Sequence, residues 1–567
     1  MTGSFLRIFH QKPDLHRETV PMMKRVFLLH TCPTAESAGF CAMKNKLHLI
    51  ETERKQETAM AKNTQDASAA LHDTQTAFTL DTLEPADVFH YFREIAAIPH
   101  GSFHTEKLSD YLEAFAKDRG LPCVRDEMGN LIITRPAPEG LEACAPIALQ
   151  GHIDMVCEKE ASNDIDMTTQ AIELHVDGDW LLADRTTLGG DDGIAVAMML
   201  ALLDDQTLRC PPLECIFTVD EEVGLLGAES IDLSSLQSRR MINLDSEEEG
   251  ILTAGCAGGA EEICSLPGRR REKSGRVLEI AVSGLRGGHS GESIGRGRAN
   301  ADLLLARLLF VLSKDFKYNL VSFNGGSRDN AIPRDARAEI LFTGKVKRKK
   351  VNAVIDGFKE DIRKEYSATD PDIRIRTVWP EKEDTVEGEE LRIAFTGKDT
   401  LRMIQFLMAL PNGVIEYSPD YPGLPQTSLS LGIVKTLADG MRTHSLVRSN
   451  INSQKQYIMD RIECIAARFG ASVETNGAYP GWEYLRQSAF RDLATDIYRQ
   501  VTGREIAVSV THGGLECGLL TAKVPGLDCI SIGPDMREIH TPAERLCISS
   551  TARLYKYLRA LLEACAK

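Results

Sequence analysis

Short apolar runs that stop on charged residues recur along this chain. Residues 147–149, 216–219 and 241–244 are too short for helices and read as buried strands of a parallel sheet. The first leads into Gly-His-Ile-Asp at 151–154, the second into Asp-Glu-Glu at 220–222, and the third into Asp245. Residues 194–203 are apolar without interruption and read as a buried helix. Asp191 and Asp192 stand just ahead of it, where the positive end of a helix dipole favours a carboxylate. Strand-like and helix-like runs alternate through residues 76–262, the pattern of an α/β sheet domain. Ligands of open α/β sheets bind beyond the carboxyl ends of the strands, so charges at those ends are candidate chemistry.

Further on, residues 267–275 turn polar and basic and read as a boundary loop. A second region, 263–477, carries alternating strands such as 278–282 and an amphipathic helix near 299–312. Ala-Tyr-Pro-Gly-Trp at 478–482 marks a return to the first region, which extends over 478–567. The expected fold is α/β, a discontinuous catalytic domain with an inserted α+β domain. Internal repeats and coiled-coil heptads are missing from the pattern.

Individually, the charged groups have ordinary readings. His152 and Asp154 share one side of an extended segment; the pair suits a metal-ligating imidazole with a carboxylate that orients it, and equally a capped strand end. Of Asp191 and Asp192 in Gly-Gly-Asp-Asp-Gly, one could be a bridging ligand held on glycines; the ordinary reading of the pair is a turn and helix cap. If Glu221 and Glu222 continue the strand they face opposite ways, so one could bind metal while the other serves as a base. Glu247 to Glu249 read as a solvated loop, Asp245 as a strand-end ligand, and His540 in Ile-His-Thr-Pro as a ligand or a surface histidine. Jointly, ordered histidine and carboxylate sites at strand ends point to a two-metal hydrolytic centre, for which zinc suits the donors and manganese or cobalt is an alternative.

Nine phrases carry a resemblance. They are Leu-Gln-Gly-His-Ile-Asp-Met, Thr-Thr-Leu-Gly-Gly-Asp-Asp-Gly, Asp-Glu-Glu-Val-Gly, Asn-Leu-Asp-Ser-Glu-Glu-Glu-Gly, Gly-Cys-Ala-Gly-Gly, Gly-Gly-His-Ser-Gly, Asn-Ala-Ile-Pro-Arg, Gly-Ala-Tyr-Pro-Gly-Trp and His-Gly-Gly-Leu-Glu-Cys-Gly. In this order, from about residue 80 to the end, the chain resembles the aminoacyl-histidine dipeptidases, within the dizinc exopeptidases that include carnosinases and tripeptidase T. The resemblance implies one zinc on His152, Asp191 and Asp245 and a second on Asp191, Glu222 and His540. It makes Glu221 the general base, Asp154 the orienter of His152, and His289 an oxyanion donor. Arg448 becomes the clamp for a dipeptide's carboxylate, for which a bidentate guanidinium is apt, with Asn330, Gly513 and Gly514 as further substrate contacts. The inserted domain becomes a lid that also forms a homodimer. Relatives carry Ala and Asn at the positions of Gly190 and Asp192, so this chain has an extra carboxylate beside the bridge.

The whole chain of 567 residues, 43% apolar, has enough for two cores. A net charge of −16 argues against nucleic acid or an anionic membrane as partner. Fourteen cysteines without a Cys-x-x-Cys pair fit a reducing cytoplasm. The apolar core at 26–29 is shorter than the roughly 7–15 residues of a signal peptide. Residues 1–75 match none of the family phrases and are expected to be disordered or untranslated, with an alternative start at Met60 after the purine-codable Gln56-Glu57. The expected activity is hydrolysis of unblocked dipeptides, Xaa-His among them. A tripeptidase, an N-acyl amino-acid deacylase and a catalytically silent metal- or peptide-binding protein are the rivals, and retention of Glu221 argues against the last.

Overall fold

A computed structural model describes residues 82–380 and 390–566. The expectations for residues 1–75, including the start at Met60, lie outside the described residues.

Eight strands form the first sheet, in the spatial order Cys123–Arg125, Leu131–Arg135, Leu213–Thr218, Ile147–His152, Arg240–Asn243, Asp528–Ser531, Ile251–Thr253 and Ala507–Ser509. Its centre is parallel: Ile147–His152 lies between Leu213–Thr218 and Arg240–Asn243, and Asp528–Ser531 runs parallel to the latter. The period of two along each strand divides the core. Leu149, Phe217, Ile242 and Ile530 face one hydrophobic cluster, whereas Ala148, Ile216, Met241 and Cys529 face another. Both faces are therefore covered, which is why these strands read as continuous apolar runs.

The helix Gly190–Asp204 is buried along nearly its whole length, packed between the strand Ile147–His152 and the helix Ala86–Ala96. A helix apolar all round belongs in such a position. Its first residues depart from helical geometry at Asp191 and Asp192, and the carboxylates there are presented on an irregular turn.

The second sheet has ten strands, and its pairings are antiparallel. Helices Ala301–Asp315, Arg348–Glu365, Gly397–Ala409 and Asn452–Phe469 pack into its core. Residues 267–275, expected as a boundary loop, are instead sheet: Gly258–Pro267 and Arg270–Ser283 are both strands. Arg270–Gly275 pairs with Glu390–Phe395, and the Arg270 guanidinium donates to the Val321 and Ile393 carbonyls and lies over the Phe395 ring. Long-range pairing turns a charged, loop-like phrase into a strand. The second sheet thus begins at Gly258, inside the stretch 76–262.

The chain passes between the two sheets twice, and the passages touch. Cys256 and Trp482 exchange backbone hydrogen bonds of 3.0 and 3.1 Å. A Cβ on Gly258 would sit 2.4 Å from the Gly481 nitrogen, so only glycine permits this approach. Among the described residues no helix is long and apolar enough to cross a membrane.

Candidate metal centre and substrate pocket

His152 ends the strand Ile147–His152 and is buried. Its Nε2 lies 3.1 Å from Asp191 Oδ1 and 3.7 Å from Asp245 Oδ1. Asp245 follows the neighbouring parallel strand Arg240–Asn243. The other oxygen of Asp191, Oδ2, lies 3.3 Å from His540 Nε2, and that nitrogen is 2.7 Å from Glu222 Oε1. One carboxylate thus faces His152 with one oxygen and His540 with the other, while Asp245 stands beside His152 and Glu222 beside His540. His540 comes from a loop beyond the strand Asp528–Ser531, at φ 60°.

Asp192 is buried too. Its Oδ2 accepts the His152 backbone N–H at 3.3 Å, its Oδ1 has no partner among the described residues, and its ligand atoms cluster with those of His152 and Asp245.

The Nδ1 of His152 is 3.0 Å from the carbonyl oxygen of Asp154 and 3.5 Å from its carboxylate. The backbone carbonyl is therefore the nearer partner, although the carboxylate was the expected orienter. The carboxylate has other work: Oδ1 accepts the Glu221 N–H at 2.9 Å, and Oδ2 accepts the Glu222 N–H at 3.3 Å and the Ser102 hydroxyl at 2.8 Å. Glu221 and Glu222 are not strand residues. The strand stops at Thr218, and a turn follows in which the Glu221 carbonyl accepts from Gly224 and Leu225. Side-chain separation at 221–222 comes from this turn rather than from strand alternation. Nor are Glu247 to Glu249 uniformly solvated, since the Glu249 carboxylate is buried against Arg553 at 2.5 Å.

Crowded carboxylates dominate the electrostatics. Burial and neighbouring negative charges push Glu221 and Asp245 well above the usual carboxylate range, and burial does the same to Asp192, with Asp191 adding to it. Hydrogen bonds to Asp191 and Glu222 raise His540 to about 11. Burial opposes charge on His152, yet its carboxylate partners hold it above its ordinary value. Such a cluster demands positive charge. Nitrogen and oxygen donors converging on two sides of one carboxylate, together with an orphaned buried oxygen on Asp192, fit a pair of divalent cations.

A second group comes from the antiparallel sheet. Arg448, buried on the strand Gly440–Ser449, donates to the Tyr479 hydroxyl at 3.2 Å and lies 3.4 Å from His289 Nε2, while its Nε has no partner among the described residues. Burial and the Arg448 charge lower the His289 pKa. His289 stands on a two-residue ladder, Gly288–His289 with Ala331–Ile332. Asn330, next in line, is exposed, and its carbonyl accepts from Ser290. Gly514 lies against Tyr479, where a Cβ would be 2.7 Å from the hydroxyl. The Gly513 carbonyl accepts from Ala257. Trp482 is core, at 3% exposure.

Four side chains here had no expected role. Tyr479, His512 and Glu516 lie inside phrases that carried the family resemblance, and Glu544 follows His540 in Thr-Pro-Ala-Glu. Glu516, fully buried, accepts from Gln150 and Thr218 and is pushed up to about 7 by burial. His512 bonds Ser428 Oγ at 2.8 Å and Asn450 Oδ1 at 3.2 Å. Glu544 reaches the loop that carries Asp191.

Residues 148–564 match peptidase family M20/M25/M40. The chain is 35% identical over 486 residues to the cytosol non-specific dipeptidase of Escherichia coli (strain K12), covering 85% of this chain and 98% of that protein. In structure it is similar to the aminoacylhistidine dipeptidase of Vibrio alginolyticus, with a TM-score of 0.77, 34% identity, and coverage of 86% and 98%. Extent and identity together make this chain a member of peptidase family M20/M25/M40.

Proposed function

We propose that this chain is a metal-dependent dipeptidase acting on dipeptides with a free amino terminus and a free carboxylate, Xaa-His among them. One observation carries the reading: Asp191 turns one oxygen to His152 and the other to His540, with Glu221 held beside them. His152, Asp191 and Asp245 would hold one cation, and Asp191, Glu222 and His540 the other. Zinc is the ion we propose, with manganese or cobalt as alternatives. When bound, the pair lowers the pKa of a water and polarises the scissile carbonyl.

The protein's own groups do the rest. The Asp154 carboxylate fixes the Glu221 backbone, so Glu221 stands ready to take the water's proton and to deliver it to the leaving amine. His289 donates to the oxyanion as charge develops on the carbonyl oxygen; a preorganised donor of this kind is worth about 3–4 kcal/mol. Arg448 takes the terminal carboxylate with its unpartnered Nε–H and sets the length of peptide that fits. Gly513 and Gly514 leave room for the substrate backbone, and Asn330 supports the His289 ladder. The region around the second sheet would act as a lid and as the contact of a homodimer, in a cytoplasmic enzyme.

The test is release of free amino acids from Ala-His, Gly-Gly-Gly and N-acetyl-Ala-His, with added zinc or manganese and a chelator control. Cleavage of Ala-His alone, abolished by chelator and restored by metal, is the expected result. Preference for the tripeptide or for the blocked substrate would replace the dipeptidase reading by a tripeptidase or a deacylase. No metal-dependent cleavage of any substrate would leave a silent binding protein.

A further inference from the structure

Glu544 is buried, at 3% exposure, and makes an unusual set of contacts. Its Oε2 accepts the N–H of Leu188 at 2.8 Å and of Gly189 at 3.3 Å. Its Oε1 accepts the N–H of Gly190 at 2.8 Å and of Asp191 at 3.4 Å. Four consecutive amides converge on one carboxylate, and the last belongs to the residue facing both imidazoles. The loop leaves little freedom of its own. Gly189 sits at φ 66°, a Cβ there would meet Met155 Sδ at 2.8 Å, and a Cβ on Gly190 would stand 3.3 Å from Glu544 Oε1. Glu544 also closes the turn after His540, its N–H donating to the Thr541 carbonyl at 3.0 Å. A single short segment therefore carries His540 at one end and grips the Asp191 loop at the other.

We propose that Glu544 is a positioning residue of the metal centre, locking the Asp191 loop to the His540 turn so that the bridging carboxylate and the distal imidazole keep their spacing. Loop amides that would otherwise need water are satisfied by one carboxyl group. Partners that orient ligands commonly set metal affinity within a factor of 10 to 100. The inference rests on the proposed role of Asp191 as the bridge.

Glu214 supplies the control. It is a buried carboxylate on Leu213–Thr218 that accepts the N–H groups of Gln237 and Ser238 and the Ser238 hydroxyl, and it touches no metal-centre loop. The experiment titrates the metal-stripped full-length protein with Zn2+ and with Mn2+ against a chromogenic chelator, for wild type, Glu544→Gln and Glu214→Gln, alongside urea midpoints without metal. Glu544→Gln is expected to weaken metal binding roughly 10- to 100-fold, to lower kcat, and to hold KM. Glu214→Gln is expected to lose stability with its metal affinity intact. Unchanged metal affinity in folded Glu544→Gln would overturn the proposal. If that variant does not fold, Glu544→Asp, which keeps the carboxyl group but falls short of the amides, takes its place with the same two outcomes. Failure of both to fold also overturns it, because the residue then serves the fold at large. Asp191→Asn separates the two readings. Metal binding undisturbed there sinks the bridge itself, whereas loss there without loss in Glu544→Gln sinks only this inference.

Discussion

The two groups of the candidate site are built in opposite ways. The metal centre gathers acidic and imidazole groups from loops at the carboxyl ends of strands in a mostly parallel sheet, and its surplus negative charge calls for cations. The Arg448 group gathers a guanidinium, two histidines and a tyrosine where strands of an antiparallel sheet meet the Gly513–Gly514 loop, and its surplus charge is positive. A dipeptide brought between them would offer its carbonyl to one and its carboxylate to the other. On the proposed function, chemistry and substrate length fall to separate walls, so substitutions in the two should alter different kinetic constants.

The largest effect belongs to Glu221→Gln. Glutamine has the same shape, and the backbone at 221 stays fixed by Asp154, so the substitution removes only the proton acceptor. A positioned general base contributes roughly 10²- to 10⁴-fold. The expected outcome is a kcat reduced by that order, with two metals per chain still found by elemental analysis. Retained turnover would move the base to another residue, and a rise in KM alone would erase the division of labour between the walls.

Arg448→Ala probes the opposite wall. Hydrogen bonds to charged groups are worth about 1.5–3 kcal/mol, or roughly 10- to 100-fold. That loss should fall on KM for dipeptides while kcat holds near wild type. Arg448→Lys should recover only part of it, because an ammonium lacks the planar fork. Steady-state kinetics on Ala-His and on its C-terminal amide check this: the amide, without a carboxylate, should be nearly indifferent to the substitution. Equal KM rises on both substrates would assign Arg448 to packing.

The same contrast explains what could be read in advance. His152, Asp245 and the glutamates follow apolar runs that could only be buried strands, and such strands expose what comes after them at one edge of the sheet. Their residue types then indicate the chemistry. The antiparallel half has no such rule. Arg270–Gly275 reads as a loop until Glu390–Phe395 pairs with it. In the first sheet's own loops, Glu249 reads as solvated until Arg553 covers it. Glu544 is a loop carboxylate in the sequence, and its partner at Leu188 is 356 residues away. The turn at 221–224 defeated an expectation of strand alternation because Asp154 captures two successive amides there, which no periodicity reveals. Strand ends are local features, whereas carboxylates that hold loops are made by tertiary structure.

His512 gives the smallest effect and the sharpest sign. It is buried, with its Nδ1–H donating to Asn450 Oδ1 and its Nε2 accepting from the Ser428 hydroxyl, since the Asn450 amide already donates to the Thr511 carbonyl. Both sides of the ring are satisfied in the neutral form. Burial first, then the charges of Arg448 and His289, lower its pKa to about 3. Unfolded, a histidine titrates near 6.5, so between those values the unfolded chain binds the extra proton and stability rises with pH. The cost is absent above the unfolded pKa, grows as pH falls, and levels off below the folded one. From pH 7 to pH 5 it amounts to about 2 kcal/mol. Glutamine at 512 would keep a polar partner for Ser428 and remove the titration. Urea unfolding of the metal-free protein at the two pH values should therefore show wild type losing about 2 kcal/mol more than His512→Gln. Equal losses would mean that His512 opens to solvent and takes up its proton in the folded state, and the wall carrying Arg448 would then be looser than its hydrogen bonds indicate.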